Sequence, residues 1–356
     1  MGSARCNCSG LPILKRHMAG SSDVLVLGGG LGGLLAAARC TQAGAHVTVV
    51  ERLGWLGGRF TTHWHNGFAL SSGALHFVPH GASGPLARSL DALGLHGLIE
   101  PAHIFGSVRE RQRHTLLRRP IDILRLVSPV EAVHLMRQLW ALKRGTALSG
   151  SFGDWLHQQH SGPRLTDLWR TFTDFALSVS VEDIAAAEMR TVVRNVARLG
   201  DPGLVRGGCG AIVDALTHFI ETHGGTFVLH QDVTAVRPPA VDLTDRRTGR
   251  QWTARASSIV SDLGPATTAR LLGRPAPSSP RPARGLKVHL ASSCSHIPHS
   301  GIMFCLGTQR ISGAVQPTNV NPGLAPANEH LIVAFGTLRR ANLAHERELV
   351  LADVRE

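Results

Sequence analysis

Three glycines, spaced Gly28-x-Gly30-x-x-Gly33, stand between an apolar run, Val24-Leu-Val-Leu27, and a run of small residues, Leu34-Leu-Ala-Ala-Ala38. That spacing suits a pyrophosphate. The first glycine turns the chain out of a strand, the second lets phosphate approach the backbone, and the third lets the next helix lie close on the strand. Leu31 and Gly32 fall at the helix start, where unpaired N–H groups and the positive helix end face an anion. A second apolar strand, His46-Val-Thr-Val-Val50, ends at Glu51 and Arg52. An acid roughly twenty residues past the glycines accepts a hydrogen bond from a ribose hydroxyl, a charged bond worth about 1.5–3 kcal/mol. Strand, turn, helix, strand and acid together predict a dinucleotide site.

The next loop, Gly57-Gly58-Arg59, narrows the choice. Its glycines bring further backbone N–H groups to a ligand, and the arginine can pair with phosphate. Nicotinamide enzymes rarely need this second clamp, and an acid followed by a glycine-glycine-arginine loop resembles the FAD-binding start of the amine oxidase and phytoene desaturase superfamily, which implies FAD.

The elements that must hold these residues can be read coarsely. A strand-turn-helix-strand unit covers residues 22–51. The middle of the chain then turns helical. Ser128-Pro129-x-Glu131 reads as a capping box with proline at the first helical position, and the helix it opens carries Val133, Met136, Leu139 and Trp140 before ending in Lys143 and Arg144. That helix is apolar on one face and basic at one end, the pattern of a core helix or of a patch that docks on a membrane and admits a lipid. Segments 153–160, 164–177 and 211–222 also read as helices, and 226–230, 232–236 and 258–261 as strands. A proline- and arginine-rich stretch, 275–284, reads as a linker. Beyond it four strand-like runs, 285–290, 301–306, 310–315 and 330–335, predict an antiparallel sheet.

Composition sets bounds. The 356 residues suffice for two domains, and 43% apolar content is that of a globular chain. The net charge of +12 comes from scattered arginines, with lysine only at 15, 143 and 287. No nucleic-acid-binding motif accompanies them, so no nucleic-acid partner is expected. The six cysteines make no second close pair to complement Cys6 and Cys8, and the 20 histidines show no convergent acid or thiol at ligand spacing. No metal is therefore expected. The spread of the cysteines favours a reducing, cytoplasmic setting, with peripheral membrane association as a second expectation. Residues 1–21 are polar and irregular and read as a disordered leader.

The matched segments allow a resemblance to be named. The chain resembles FAD-dependent oxidoreductases of the phytoene desaturase and carotenoid isomerase type, within the amine oxidase superfamily, over nearly all of its length after Ser22. The residues that carry it lie in 28–51, 56–59, 67–73, 207–233 and 258–265, with the strand set from 285 to 335. The resemblance implies an α/β fold: a Rossmann-like FAD-binding domain (22–82 and 204–274) with an inserted α+β substrate domain (83–203 and 285–356) built on a mixed or antiparallel sheet with helices. It implies that Gly28, Gly30, Leu31, Gly32 and Gly33 hold the pyrophosphate and Glu51 the adenosine ribose. Arg52, Gly57, Gly58 and Arg59 would line the phosphates and ribitol, and the backbone of Val233 would meet the adenine. The implied chemistry is desaturation or isomerisation, at the flavin, of an apolar polyene or isoprenoid-like substrate, as in carotenoid biosynthesis.

Two departures from the family pattern stand out. Where relatives often carry an aspartate, this chain has Ser71. Relatives also finish with a Gly-Asp segment and a helix beside the flavin ring, whereas this sequence ends at Ala352-Asp-Val-Arg-Glu356. The sequence alone thus favours a truncated product, with a shortened form that binds FAD weakly or not at all as the alternative. Rival readings are an amine or porphyrinogen oxidase, or a non-catalytic nucleotide-binding remnant. The absence of tyrosine argues against an aromatic amine cage. His76 is expected to be structural, no catalytic side chain is assigned, and the oligomeric state is left open.

Overall fold

The computed structural model describes residues 22–355 apart from 74, 103, 112, 145–147, 201, 278–283, 340 and 341. The expected leader and most of the expected linker lie outside the described residues. The chain forms two compact units, one from the described residues of Met1–Gly58 and Ala215–Ser278, the other from those of Arg59–Asp214 and Ser279–Glu356. The first boundary thus falls just after the glycine pair of the second loop, where the sequence reading carries the cofactor domain on to residue 82.

The first unit is built on a six-stranded sheet in the order Thr226–Val228, Val47–Val50, Ser22–Leu27, Gln251–Ser261, Ala240–Asp245, Gln231–Arg237. The first four strands are parallel, and the last two fold back antiparallel. Ser22–Leu27 is central and covered on both faces, which is why Leu25, Val26 and Leu27 are all buried in an unbroken apolar run. The Leu31–Gln42 helix buries Leu34, Ala37, Ala38 and Thr41, a single helical face.

The second unit holds another six-stranded sheet, ordered Gly285–Ser292, His330–Thr337, Ile311–Val315, Ile302–Leu306, Gly106–Glu110, Arg113–Leu117. The four late strands are antiparallel, as their sequence predicts. The Gly106–Glu110 hairpin joins them through a parallel pairing with Ile302–Leu306, which makes the sheet mixed. Side chains alternate across it. Ile302, Phe304 and Leu306 enter a large core shared with the helices Pro129–Arg144, Phe152–Gln158, Pro163–Leu177 and Ala186–Leu199, while Met303 and Cys305 enter a second core with Val350 of the Leu343–Arg355 helix. That last helix is also tied by charge: Arg310 makes a two-pronged bond to buried Glu346, at 2.6 and 2.9 Å, and Asp353 accepts from the backbone N–H groups of Gln309, Arg310 and Ile311.

Candidate functional site

The glycine turn leaves the central strand where the sequence places it. The Gly28 N–H donates to Val50 O at 2.8 Å, joining the turn to the second strand. A Cβ on Gly33 would lie 1.9 Å from the Gly28 carbonyl oxygen, so only glycine lets the helix sit this close to the strand. Beyond the helix's own hydrogen bonds, the N–H groups of Gly30, Leu31 and Gly32 have no intrahelical acceptor.

Glu51 ends the second strand and is buried. Its carboxylate accepts from the Gly29 N–H at 2.7 Å and from the Leu53 N–H at 2.8 Å. These two bonds fix the carboxylate beside the turn and leave lone pairs for a further donor. The second loop lies against the first. Gly57 N–H donates to Gly29 O at 2.7 Å, and Gly30 and Gly57 form a parallel bridge. A Cβ on Gly58 would be 3.8 Å from Gly30 Cα, so two glycine loops face each other here. Arg52 is exposed at the rim. Arg59 is exposed too, but it opens the second unit, where its carbonyl accepts from the Gly73 N–H.

Val233 lies on the edge strand Gln231–Arg237. The Gln231 N–H points off the ladder to Glu51 O at 2.9 Å. Antiparallel partners alternate between bonded and non-bonded pairs. Val233, two residues on and opposite Leu243, therefore turns its N–H and C=O to the same open edge. Gly28, Gly30, Leu31, Gly32, Gly33, Glu51, Arg52, Gly57, Gly58 and Val233 all fall in one unit, and Arg59 is the member that does not.

One residue of this arrangement, Asp262, has no role in the sequence reading beyond falling within the 258–265 segment. It follows the strand that pairs in parallel with Ser22–Leu27. Its carboxylate accepts from the Gly33 N–H at 2.9 Å, and Cβ atoms on Gly30 and Gly32 would come within 2.9 and 2.7 Å of its oxygens. The turn glycines therefore make room for a carboxylate at the helix start as well as for a phosphate. The legible signal was an acid at the carboxyl end of a strand neighbouring the glycine strand.

The donor set fits a dinucleotide: three amides at a helix start, a fixed ribose acceptor, a facing glycine loop and an open backbone edge. Parallel sheet and glycine turn together define a Rossmann-type nucleotide-binding protein. The comparisons with known proteins then specify it. The family model described as FAD dependent oxidoreductase matches residues 23–139. An uncharacterised protein of Methanocaldococcus jannaschii is 29% identical over 330 residues, 92% of this chain and 81% of that protein. The crystal structure of an oxidoreductase from Methanosarcina mazei superposes with a TM-score of 0.82 at 28% identity, covering 93% of this chain and 83% of that one. Putrescine oxidase with bound putrescine shares the fold alone, at a TM-score of 0.68 and 16% identity over 94% of this chain and 81% of that one. The chain is an FAD-dependent oxidoreductase, and its structural neighbours include amine oxidases.

The second unit contributes two further features. The first is a polar cluster in the second unit. Lys287 Nζ donates to Ser71 O and, at 3.0 Å, to Ser71 Oγ. Burial lowers the Lys287 amine to about 8. His289 lies 3.4 Å from Ser71 Oγ, and burial, with Lys287 and His76 beside it, lowers it to about 4. His76 is fully buried and doubly bonded: Nδ1 accepts from the Cys209 N–H at 3.0 Å, so Nε2 carries the proton and donates to Ala69 O at 2.8 Å. Burial lowers its pKa as well, and the ring is a neutral structural brace. Cys209 is pushed up to about 12 by burial and stays a thiol. Lys287 is thus the member of the cluster that titrates near neutral pH. Nothing in the sequence marked it except a lysine inside an apolar strand of a chain with three lysines.

The second feature is a cavity of about 610 Å³. The strand residues Phe105, Val108, Leu117, Phe304 and Leu306 form one wall, and helical residues such as Leu139, Leu168 and Phe172 form the rest. Among the described residues its lining contains no carboxylate, and its polar side-chain groups are those of Thr171, Lys143, the Trp140 indole and the Trp169 indole, which is bonded to Gln138.

Proposed function

We propose that this flavoenzyme acts on an apolar polyene or isoprenoid-like substrate, by desaturation or isomerisation. The observation that carries the reading is the apolar cavity, whose described lining residues include no acid. Ligand sites of this size are typically apolar with few polar anchors. An amine substrate is cationic and would be desolvated here without a counter-charge, at a cost of several kcal/mol. An uncharged hydrocarbon chain meets no such cost, and burying it contributes about 25 cal/mol per Å² of apolar surface.

In this reading Gly30, Leu31 and Gly32 bind the pyrophosphate through their amides, Glu51 the adenosine ribose and the Val233 backbone the adenine. Arg52, Gly57, Gly58 and Arg59 line the remaining phosphate and ribitol contacts. FAD, when bound, supplies the two-electron redox chemistry. The protein's own groups position the substrate and handle protons. The cavity wall orients the chain and excludes water, and Lys287 holds or releases a proton at Nζ near neutral pH. Ser71, through its carbonyl and hydroxyl, keeps that amine in place.

The test is anaerobic mixing of the FAD-loaded protein with an acyclic polyene in detergent and, separately, with putrescine. Bleaching of the flavin, or double-bond isomerisation seen by chromatography, is expected with the polyene alone. Bleaching by putrescine, with no polyene bound or converted, would overturn the proposal.

A further inference from the structure

The Pro129–Arg144 helix is apolar on both sides. It buries Leu135 and Leu142 together with Gln138, which accepts from the Trp169 indole N–H at 2.9 Å. Its outward side carries Val130, Val133, Met136 and Trp140, exposed by 69, 57, 46 and 60%. At 100° per residue these four fall on one face, together with Arg137, Lys143 and Arg144, all exposed. The neighbouring short helix Pro120–Leu126 adds exposed Ile121, flanked by Arg118, Arg119 and Arg125. Two acids fall among these residues, and both are spent locally. Asp122 accepts from the Arg118 and Arg119 N–H groups, and Glu131 from Ser128. The patch therefore presents apolar side chains ringed by cations. Arg144 lies over the Trp140 ring, 5.3 Å from its centroid, so the cation and the apolar surface are adjacent at one spot. The same patch reaches inward: Ile121, Met136, Trp140 and Lys143 also line the cavity.

We propose that this face is a docking surface for an anionic lipid bilayer. The apolar side chains enter the interface while the arginines and Lys143 meet the headgroups, as interfacial helices do. No described helix is long and apolar enough to cross a membrane, so the contact is with one leaflet. The cavity would then open onto the acyl region, giving a water-insoluble substrate a path that avoids water. A second copy of the chain is disfavoured as the occupant, because juxtaposing two such patches would bring like charges together. The docking surface goes beyond the flavin reading, and its test uses no substrate, so its failure would leave the proposed chemistry standing.

The experiment is co-sedimentation of the full FAD-loaded chain with phosphatidylcholine vesicles, with and without phosphatidylglycerol. Binding is expected only with the anionic lipid and should fall with added salt. Val133→Asp and Arg137→Glu touch neither the cavity lining nor the cofactor residues. Each basic group near such a surface contributes about fivefold to partitioning, so Arg137→Glu should weaken binding by an order of magnitude or more, and Val133→Asp should act in the same direction. Arg250→Glu, on a hairpin turn of the other unit, should leave binding unchanged. Flavin retention and circular dichroism verify that the variants are folded. No pelleting above the vesicle-free control, equal binding to neutral vesicles, or indifference to both variants would overturn the proposal. So would a dimer in analytical ultracentrifugation that Val133→Asp dissociates.

Discussion

Glu51→Gln separates a cofactor residue from a mere turn brace. The Glu51 carboxylate holds two backbone donors, Gly29 N–H at 2.7 Å and Leu53 N–H at 2.8 Å, in a buried setting. Glutamine is isosteric but offers one acceptor oxygen, so its amide NH₂ must face one of the two N–H groups. The loss is one charge-assisted bond, about 1.5–3 kcal/mol, charged to the turn whether or not cofactor is present. If the carboxylate also takes a ribose hydroxyl, FAD binding loses a similar amount again, roughly a ten- to hundredfold rise in Kd. The assay is titration of apoprotein with FAD followed by flavin fluorescence, beside calorimetry of the apoprotein. Arg52→Ala, on the exposed neighbour, serves as the control for stability. A lowered apoprotein Tm with an FAD Kd within about threefold of the parent would refute the ribose assignment and leave Glu51 a structural residue.

Four other expectations follow from the same geometry. Gly33→Ala places a methyl 1.9 Å from the Gly28 oxygen; a backbone collision of this kind should cost about 3 kcal/mol and abolish FAD retention, read by denaturant melts and flavin content. Lys287, lowered to about 8, binds fewer protons in the folded state than in the unfolded state between that pH and its ordinary 10.5. Stability should therefore rise with pH across this window, and Lys287→Met should flatten the rise and gain stability at neutral pH. Glu346 is held below the usual carboxylate range by its bond to Arg310, so the stability it contributes is present above its ordinary pKa and lost as pH falls through the lowered one; Glu346→Gln should remove about 3 kcal/mol at neutral pH and blunt the acid limb of a pH-melting curve. Ala197→Trp fills part of the cavity and should raise KM for a long apolar substrate while leaving bound flavin unchanged.

The parts of this protein that were legible in its sequence are those made by local rules. The glycine spacing, the strand ending at Glu51 and the capping box at Ser128 each depend on neighbours a few residues away, and each took the expected form. The Ser128–Glu131 pair bonds reciprocally, with Ser128 N–H to Glu131 at 3.0 Å and Glu131 N–H to Ser128 Oγ at 3.3 Å. The helix from Cys209 begins before the expected Ala211, after Gly207 and Gly208 turn the chain at φ 71° and 80°. The Gly106–Glu110 and Arg113–Leu117 hairpin went unread because its strands carry Arg109, Glu110, Arg113 and His114 and show little alternation; long-range pairing with Ile302–Leu306 makes it a strand. Asp262 and Lys287 were missed for the same reason. Asp262 meets Gly33 across 229 residues of chain and Lys287 meets Ser71 across 216, separations that no local pattern encodes.

The Ser71 departure acquires a physical meaning from Lys287. An aspartate at this position would form a buried ion pair with the amine and hold it protonated, because an opposite charge favours the charged form. A serine gives the amine hydrogen bonds without a counter-charge, so burial dominates and the amine is lowered to about 8. Ser71→Asp should therefore move Lys287 back towards its ordinary range and, in the proposed enzyme, shift the alkaline limb of the pH–rate profile upwards. A profile unchanged by Ser71→Asp, in a variant that still binds FAD and melts like the parent, would separate Lys287 from the proton chemistry and confine it to a packing role.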